Sequence, residues 1–365
     1  MGGCVRRLSV IGAMISKPPE PARRACKATL HTNLGDPGSY PGLIESARTL
    51  LEKVIGITVD GEASAGFTSG ATEANILALY YWRRKGRRRV VAPATAHYSV
   101  RKAASLLGME IRTVPGDPEQ MLDALSSGLD DRDVLVLTVG TTEEGRIDPV
   151  EEALEIAGRR GVPVHVDAAF AGLVMKWLPR PVRLRLEEPM GSVAVDLHKL
   201  GEAPMPLGVI LAGEDLINEL YFEAPYIPSG SQFGVLGSRP GCPVFAAHAS
   251  LHYLEQTYGS FKGMAAALMR AADQIIGELE PYGYTPTRKI ETPIMCLQHK
   301  LGREIHLSLQ RIGVKAYSCV GGRGVRIAVM PHHIYDGELE CITYYLKLAA
   351  SPFTSPVRRG GWLES

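Results

Sequence analysis

The chain has 365 residues, of which 45 % are hydrophobic and 22 % charged, a globular balance that excludes a disordered protein. Forty Lys and Arg stand against 39 Asp and Glu, and this even charge argues against a nucleic-acid or membrane-surface partner. No apolar run reaches the roughly 18 residues of a membrane span. The start, Met1-Gly-Gly-Cys-Val-Arg-Arg, lacks the apolar core of a signal peptide, so a cytoplasmic enzyme is expected. Six scattered cysteines without a CxxC pair read as neither a disulfide framework nor a zinc site, and no metal is expected.

In chain order, short β-branched runs alternate with helical patterns. Strands are expected at 90–93, 110–114, 134–139, 162–167, 192–195 and 208–211. Helices are expected at 71–85, 99–107, 118–125 and 149–159. Continuous apolar strands alternating with helices are the form of a mostly parallel sheet covered on both faces. Such sheets take their ligands at the carboxyl ends of the strands. The basic run 83–89 falls where a helix ends and a strand begins, and reads as a solvated helix end. Residues 223–243, rich in Gly, Pro and Ser, are too long for an idle connection. Helices at 244–258 and 261–281 follow. A smaller α+β unit then closes the chain, with strands near 293–298 and 324–329 and helices near 302–312 and 337–349.

Candidate chemistry gathers just after the strands. Asp196-Leu-His198-Lys199 ends one of them, and a lysine desolvated there could form a Schiff base. Asp167 ends another, where an unpaired carboxylate is costly; it reads either as a helix cap or as the partner of a buried cation. Gly66-Phe-Thr-Ser-Gly70-Ala71-Thr72-Glu-Ala-Asn75 opens a helix, leaving backbone N–H groups free for an anion, although a plain cap would look similar. His97 follows the strand ending at Pro93, on the same edge, and its flat imidazole could stack on a planar cofactor. Gly140-Thr-Thr142-Glu-Glu-Gly-Arg-Ile-Asp148 adds hydroxyls there.

Taken in order with the Leu-Gly-Ser238-Arg-Pro-Gly and Val-Arg326-Ile-Ala-Val-Met-Pro-His-His segments, these motifs resemble the group II pyridoxal-5′-phosphate (PLP) decarboxylases. Within that group they resemble most the archaeal L-tyrosine/L-aspartate decarboxylases, over about residues 11–346. The resemblance implies the PLP-dependent transferase-like α/β fold (fold type I). It divides the chain into an N-terminal segment 1–41, a PLP-binding domain 42–260, a small domain 261–350 and a tail 351–365. By the same resemblance Lys199 carries PLP with His198 beside the phosphate, Asp167 pairs with the pyridine nitrogen, and His97 and Ala169 cover the two ring faces. Gly70, Ala71 and Thr72 bind the phosphate, Thr142 touches the cofactor edge, and Arg326 orients a substrate carboxylate. Ser238 reaches the phosphate of a second subunit, so the working unit is a homodimer with shared sites.

The expected reaction is decarboxylation of L-aspartate to β-alanine, which leads to coenzyme A. The alternatives are tyramine formation from L-tyrosine for methanofuran, a PLP-dependent carbon–carbon lyase, and a PLP-binding protein without catalysis. Tyr226 and Lys199 are the candidates for returning a proton to Cα. Glu202 departs from the family pattern, in which an apolar residue is more typical.

Overall fold

The computed structural model describes residues 10–354. Its centre is a seven-stranded sheet: β1 (Ser64–Thr68), β2 (Arg89–Pro93), β3 (Glu110–Val114), β4 (Asp133–Thr138), β5 (Val164–Asp167), β6 (Met190–Asp196) and β7 (Gly208–Ala212). The order across the sheet is β1-β7-β6-β5-β4-β2-β3. All pairs are parallel except those of β7, which runs antiparallel to both of its neighbours. Every residue of β4, β5 and β7 is buried. That is the condition of a sheet with helices on both faces, and it explains the absence of polar alternation in these strands.

The crossovers are the helices Ala71–Arg84, Tyr98–Leu106, Pro118–Gly128 and Val150–Arg159. Their starts follow local chemistry: Asp117 accepts the Gln120 N–H at 3.2 Å, with Pro118 filling the first helical position.

A second sheet is antiparallel, built of β8 (Thr285–Pro286), β9 (Ile294–Gln298), β10 (Ser318–Cys319) and β11 (Gly324–Ala328) in the order β8-β9-β11-β10. Helices Phe261–Leu279, Gly302–Arg311 and Leu339–Thr354 accompany it. The segment Val10–Ile11 pairs in parallel with Lys315–Ala316. Gly12 follows at φ +82°, and a Cβ there would lie 2.1 Å from the Arg326 carbonyl oxygen, so only glycine fits.

Several expectations need correction. Cys296 and Cys319 form a disulfide, contrary to the reading of the cysteines as unpaired. Their strands flank β11, and an added Cβ on the intervening Gly324 would meet both sulfurs, at 3.0 and 2.8 Å. A spacing of 23 residues carries no motif that could have announced this bond. Cys26 and Cys242 also face each other, with their sulfurs 2.6 Å apart.

Residues 223–243 are not one open loop, because Tyr221–Glu223 and Ser231–Phe233 pair as an antiparallel hairpin. The basic run is only partly solvated. Arg89 is the first residue of β2, and its guanidinium pairs with buried Asp133 at 2.6 Å and with Asp130 at 2.8 Å. The last helix extends to Thr354, while the rest of the expected tail and the Met1–Arg7 start lie outside the described residues.

Candidate active site

The carboxyl ends of β2, β4, β5 and β6 and the start of helix Ala71–Arg84 surround a cavity of about 230 Å³. Its lining brings together Gly70, Ala71, Thr72, His97, Thr142, Asp167, Ala169, His198 and Lys199, nine of the residues singled out in the sequence. Met14, Phe170 and Asp196 line it as well. Gly70 stands at φ +99°, and a Cβ on it would come within 3.0 Å of the His198 ring. The helix start can therefore lie against His198 only because the residue is glycine.

Lys199 Nζ is 3.0 Å from Asp196 Oδ2. The other oxygen of Asp196 accepts the Ala71 N–H at 2.6 Å. Asp196 thus holds both the lysine and the helix start, and the latter favours a negative charge. His198 is fixed by its Nδ1, 2.8 Å from the Leu207 carbonyl.

Asp167 is 4 % exposed and has no ion-pair partner among the described residues. It accepts the Asn75 side-chain amide at 2.9 Å and the Ala169 N–H at 3.1 Å. The Asn75 oxygen lies 2.8 Å from His165 Nε2, and His165 Nδ1 lies 2.8 Å from Ser192 Oγ. Burial pushes the His165 pKa down to about 4, so this ring is neutral, with Nε2–H donating to Asn75. The second Asn75 N–H reaches Ser99 Oγ at 2.8 Å, and that hydroxyl lies 2.8 Å from His97 Nδ1. Burial lowers the His97 pKa too, favouring a neutral ring.

Asn75 therefore clamps Asp167 directly and His97 through Ser99. Sequence reading gave no role to Asn75, Ser99 or His165. The available signal was polarity: an amide on a helix face among Ala74, Leu77 and Ala78, and a histidine inside an otherwise apolar strand.

Arg326 stands beside the cavity without lining it. Its Nη2 and Nε donate to the Gly12 carbonyl at 2.8 and 3.1 Å, and Nη1 donates to the Thr142 carbonyl at 3.3 Å. The Tyr317 ring lies 4.4 Å from its Cζ. Ser238 is exposed and outside the cavity, and Tyr226, 83 % exposed, is outside it as well.

The donor set fits PLP. A buried carboxylate without a cation suits a protonated pyridine nitrogen, the helix start suits a phosphate, and a lysine faces the same space.

The comparisons with known proteins agree. The pyridoxal-dependent decarboxylase conserved domain matches residues 49–237. A probable L-tyrosine/L-aspartate decarboxylase of Methanoregula boonei is 35 % identical over 285 residues, 76 % of this chain and 78 % of that one. A probable L-aspartate decarboxylase of Archaeoglobus fulgidus is 32 % identical over 335 residues, 88 % of this chain and 90 % of that one. Among solved structures, a sphingosine-1-phosphate lyase of Burkholderia pseudomallei superposes with a TM-score of 0.80 at 21 % identity. That alignment covers 94 % of this chain and 85 % of the lyase, and shows the shared fold. With a lysine, a cation-seeking carboxylate and an anion-binding helix start around one cavity, and relatives matched over most of their length, the chain belongs to the pyridoxal-dependent decarboxylases and is a PLP-dependent amino-acid decarboxylase of fold type I.

Proposed function

We propose that the enzyme removes the α-carboxylate of L-aspartate to give β-alanine, in the cytoplasm and on the route to coenzyme A. The observation that carries this reading is Arg326. Its guanidinium is bonded to two main-chain carbonyls and stacked on Tyr317, with no ion-paired carboxylate among the described residues. A charge held that way is ready for a substrate carboxylate. The adjacent cavity, of about 230 Å³, is small, which suits a short dicarboxylic amino acid.

PLP bound here supplies an electron sink for the pair left on Cα as CO₂ departs. Lys199 would provide the amine that holds the cofactor. Asp167, kept in place by Asn75, holds a proton on the ring nitrogen. His97, oriented through Ser99, would cover one face of the ring and Ala169 the other. Gly70, Ala71 and Thr72 would hold the phosphate beside His198, and Thr142 would meet the cofactor edge. Lys199 lines the cavity and would be the nearer candidate for returning a proton to Cα; Tyr226, the other candidate, is 83 % exposed and outside that cavity.

A second reading, L-tyrosine decarboxylation, has its own support. A cavity of about 410 Å³ adjoins the first through His97 and Thr142, with Tyr98, Glu143 and Glu144 on its wall, and could accept a phenol. Release of CO₂ from each of the twenty amino acids, with PLP added, separates the two. Aspartate should exceed tyrosine by at least about tenfold in kcat/KM; a reversed order replaces the first reading with the second.

We further propose a homodimer in which Ser238 completes the neighbouring site. Ser238 is exposed, and beside it Val235 and Leu236 are 57 % and 45 % exposed. They border an apolar depression with Leu106 and Phe222, a surface suited to burial against a second copy.

A further inference from the structure

Glu202 lies three residues after Lys199 and is fully buried. It is also the one non-glycine residue with a positive φ, +51°, among the described residues, a backbone region that side chains disfavour. Its N–H donates to the Lys199 carbonyl at 3.0 Å, and the Ala203 N–H donates to the Leu197 carbonyl at 3.0 Å. The turn carrying Lys199 is thereby closed on itself.

The carboxylate of Glu202 reaches two other parts of the molecule. One oxygen accepts the Lys17 N–H at 2.5 Å. The other accepts both the N–H and the Nδ1–H of His332, at 3.1 and 2.8 Å. Lys17 lies in the segment whose Gly12 carbonyl binds Arg326. His332 lies in the short helix Pro331–Tyr335, which begins three residues after β11, the strand of Arg326. The network continues through Glu338, which takes the Lys17 ammonium at 2.9 Å and stands 3.8 Å from His332 Nε2. The segment 12–17 is therefore fastened at one end to Arg326 and at the other to Glu202.

We propose that Glu202 is a positioning residue that bolts the Lys199 turn to the small sheet and to the N-terminal segment, fixing the separation between Lys199 and Arg326. That separation decides whether one amino acid can present its amine to the lysine and its carboxylate to the guanidinium at the same time. The proposal rests on the roles given above to Lys199 and Arg326. An apolar residue at position 202 would leave the buried His332 donors unmet, so the acid is not an idle variant.

His332, His333 and Glu338 also have the spacing of a metal site. Two observations favour the ion-pair network over a metal. Lys17 already neutralises Glu338, and His333 Nδ1 accepts the Met330 N–H, which leaves the ring proton on Nε2.

The test compares holoenzyme of wild type, Glu202→Leu, His332→Ala and the double variant. Each single change should raise KM for the amino acid about tenfold, and the double variant should be no worse than either single one. Hydrogen exchange should rise together in peptides covering 10–18 and 331–338. Glu202→Gln, which keeps the size and an acceptor for His332, should recover most of the KM loss, and His332→Ala carries the test by itself if Glu202→Leu does not fold. Unchanged KM and exchange, multiplicative effects in the double variant, or a stoichiometric metal in the purified protein would overturn the proposal. Mapping of the borohydride-fixed cofactor in the same samples keeps the two ideas apart. Cofactor found on another lysine refutes the role of Lys199, whereas cofactor on Lys199 with unchanged KM and exchange refutes the bolt alone.

Discussion

At Asp167 a carboxylate is buried with two hydrogen-bond donors and, among the described residues, no ion-paired cation. Such a group is costly until a cation reaches it. Asp167→Asn keeps the shape but removes the charge proposed to hold a proton on the cofactor nitrogen. The turnover number should fall about a hundred- to a thousandfold, the equivalent of breaking a buried pair, while PLP remains bound. Absorbance of the bound cofactor beside steady-state kinetics measures both, and near-normal turnover would remove the electronic role. Asp167, His97 and Lys199 were legible because each sits at or just beyond the end of a strand, where a parallel sheet places its ligands. Asn75, Ser99 and His165 were not, since the bonds joining them cross 24 to 92 positions of sequence. Arg326 was reached by resemblance alone, because its partners Gly12 and Thr142 lie far away in the chain.

Among the elements, the loop after β4 carries a titration of its own. Asp148 accepts the Thr138 N–H at 2.7 Å through one oxygen, while the other, buried, has no partner. Burial pushes its pKa up to about 7. The folded protein then keeps a proton that the unfolded chain loses near pH 4. Stability should fall as pH rises from about 4 to about 7, by up to about 1.4 kcal/mol per unit. Asp148→Asn should flatten that slope in denaturant titrations at pH 5, 6 and 7; an unaltered slope would place its origin elsewhere.

The buried strands were readable as unbroken β-branched runs, and helix ends followed caps such as Asp117 and Ser260. β1 was harder to see, because Ser-Ala-Gly-Phe-Thr at the sheet edge is small and lacks β-branched residues until its end. The hairpin of Tyr221–Glu223 with Ser231–Phe233 was hidden by the Gly and Pro between its strands. The Cys296–Cys319 bond depends on which strands neighbour each other, which no spacing encodes.

For the whole molecule, the proposed shared-site homodimer makes an activity prediction that no single chain could satisfy. Lys199→Ala and Ser238→Trp preparations should each be inactive. Dissociated and reassembled together, they should regain about a quarter of wild-type activity, since about half the dimers are mixed and each mixed dimer has one intact site. Mixed dimers that form and stay inactive would refute shared sites.

Lys199 is the residue proposed to hold PLP. The direct measurement is borohydride reduction of the holoenzyme, followed by digestion and mass mapping of the fixed cofactor. The pyridoxyl mass should fall on the peptide containing Lys199, at one per chain, and disappear in Lys199→Ala. A cofactor fixed at full occupancy on any other lysine would contradict it.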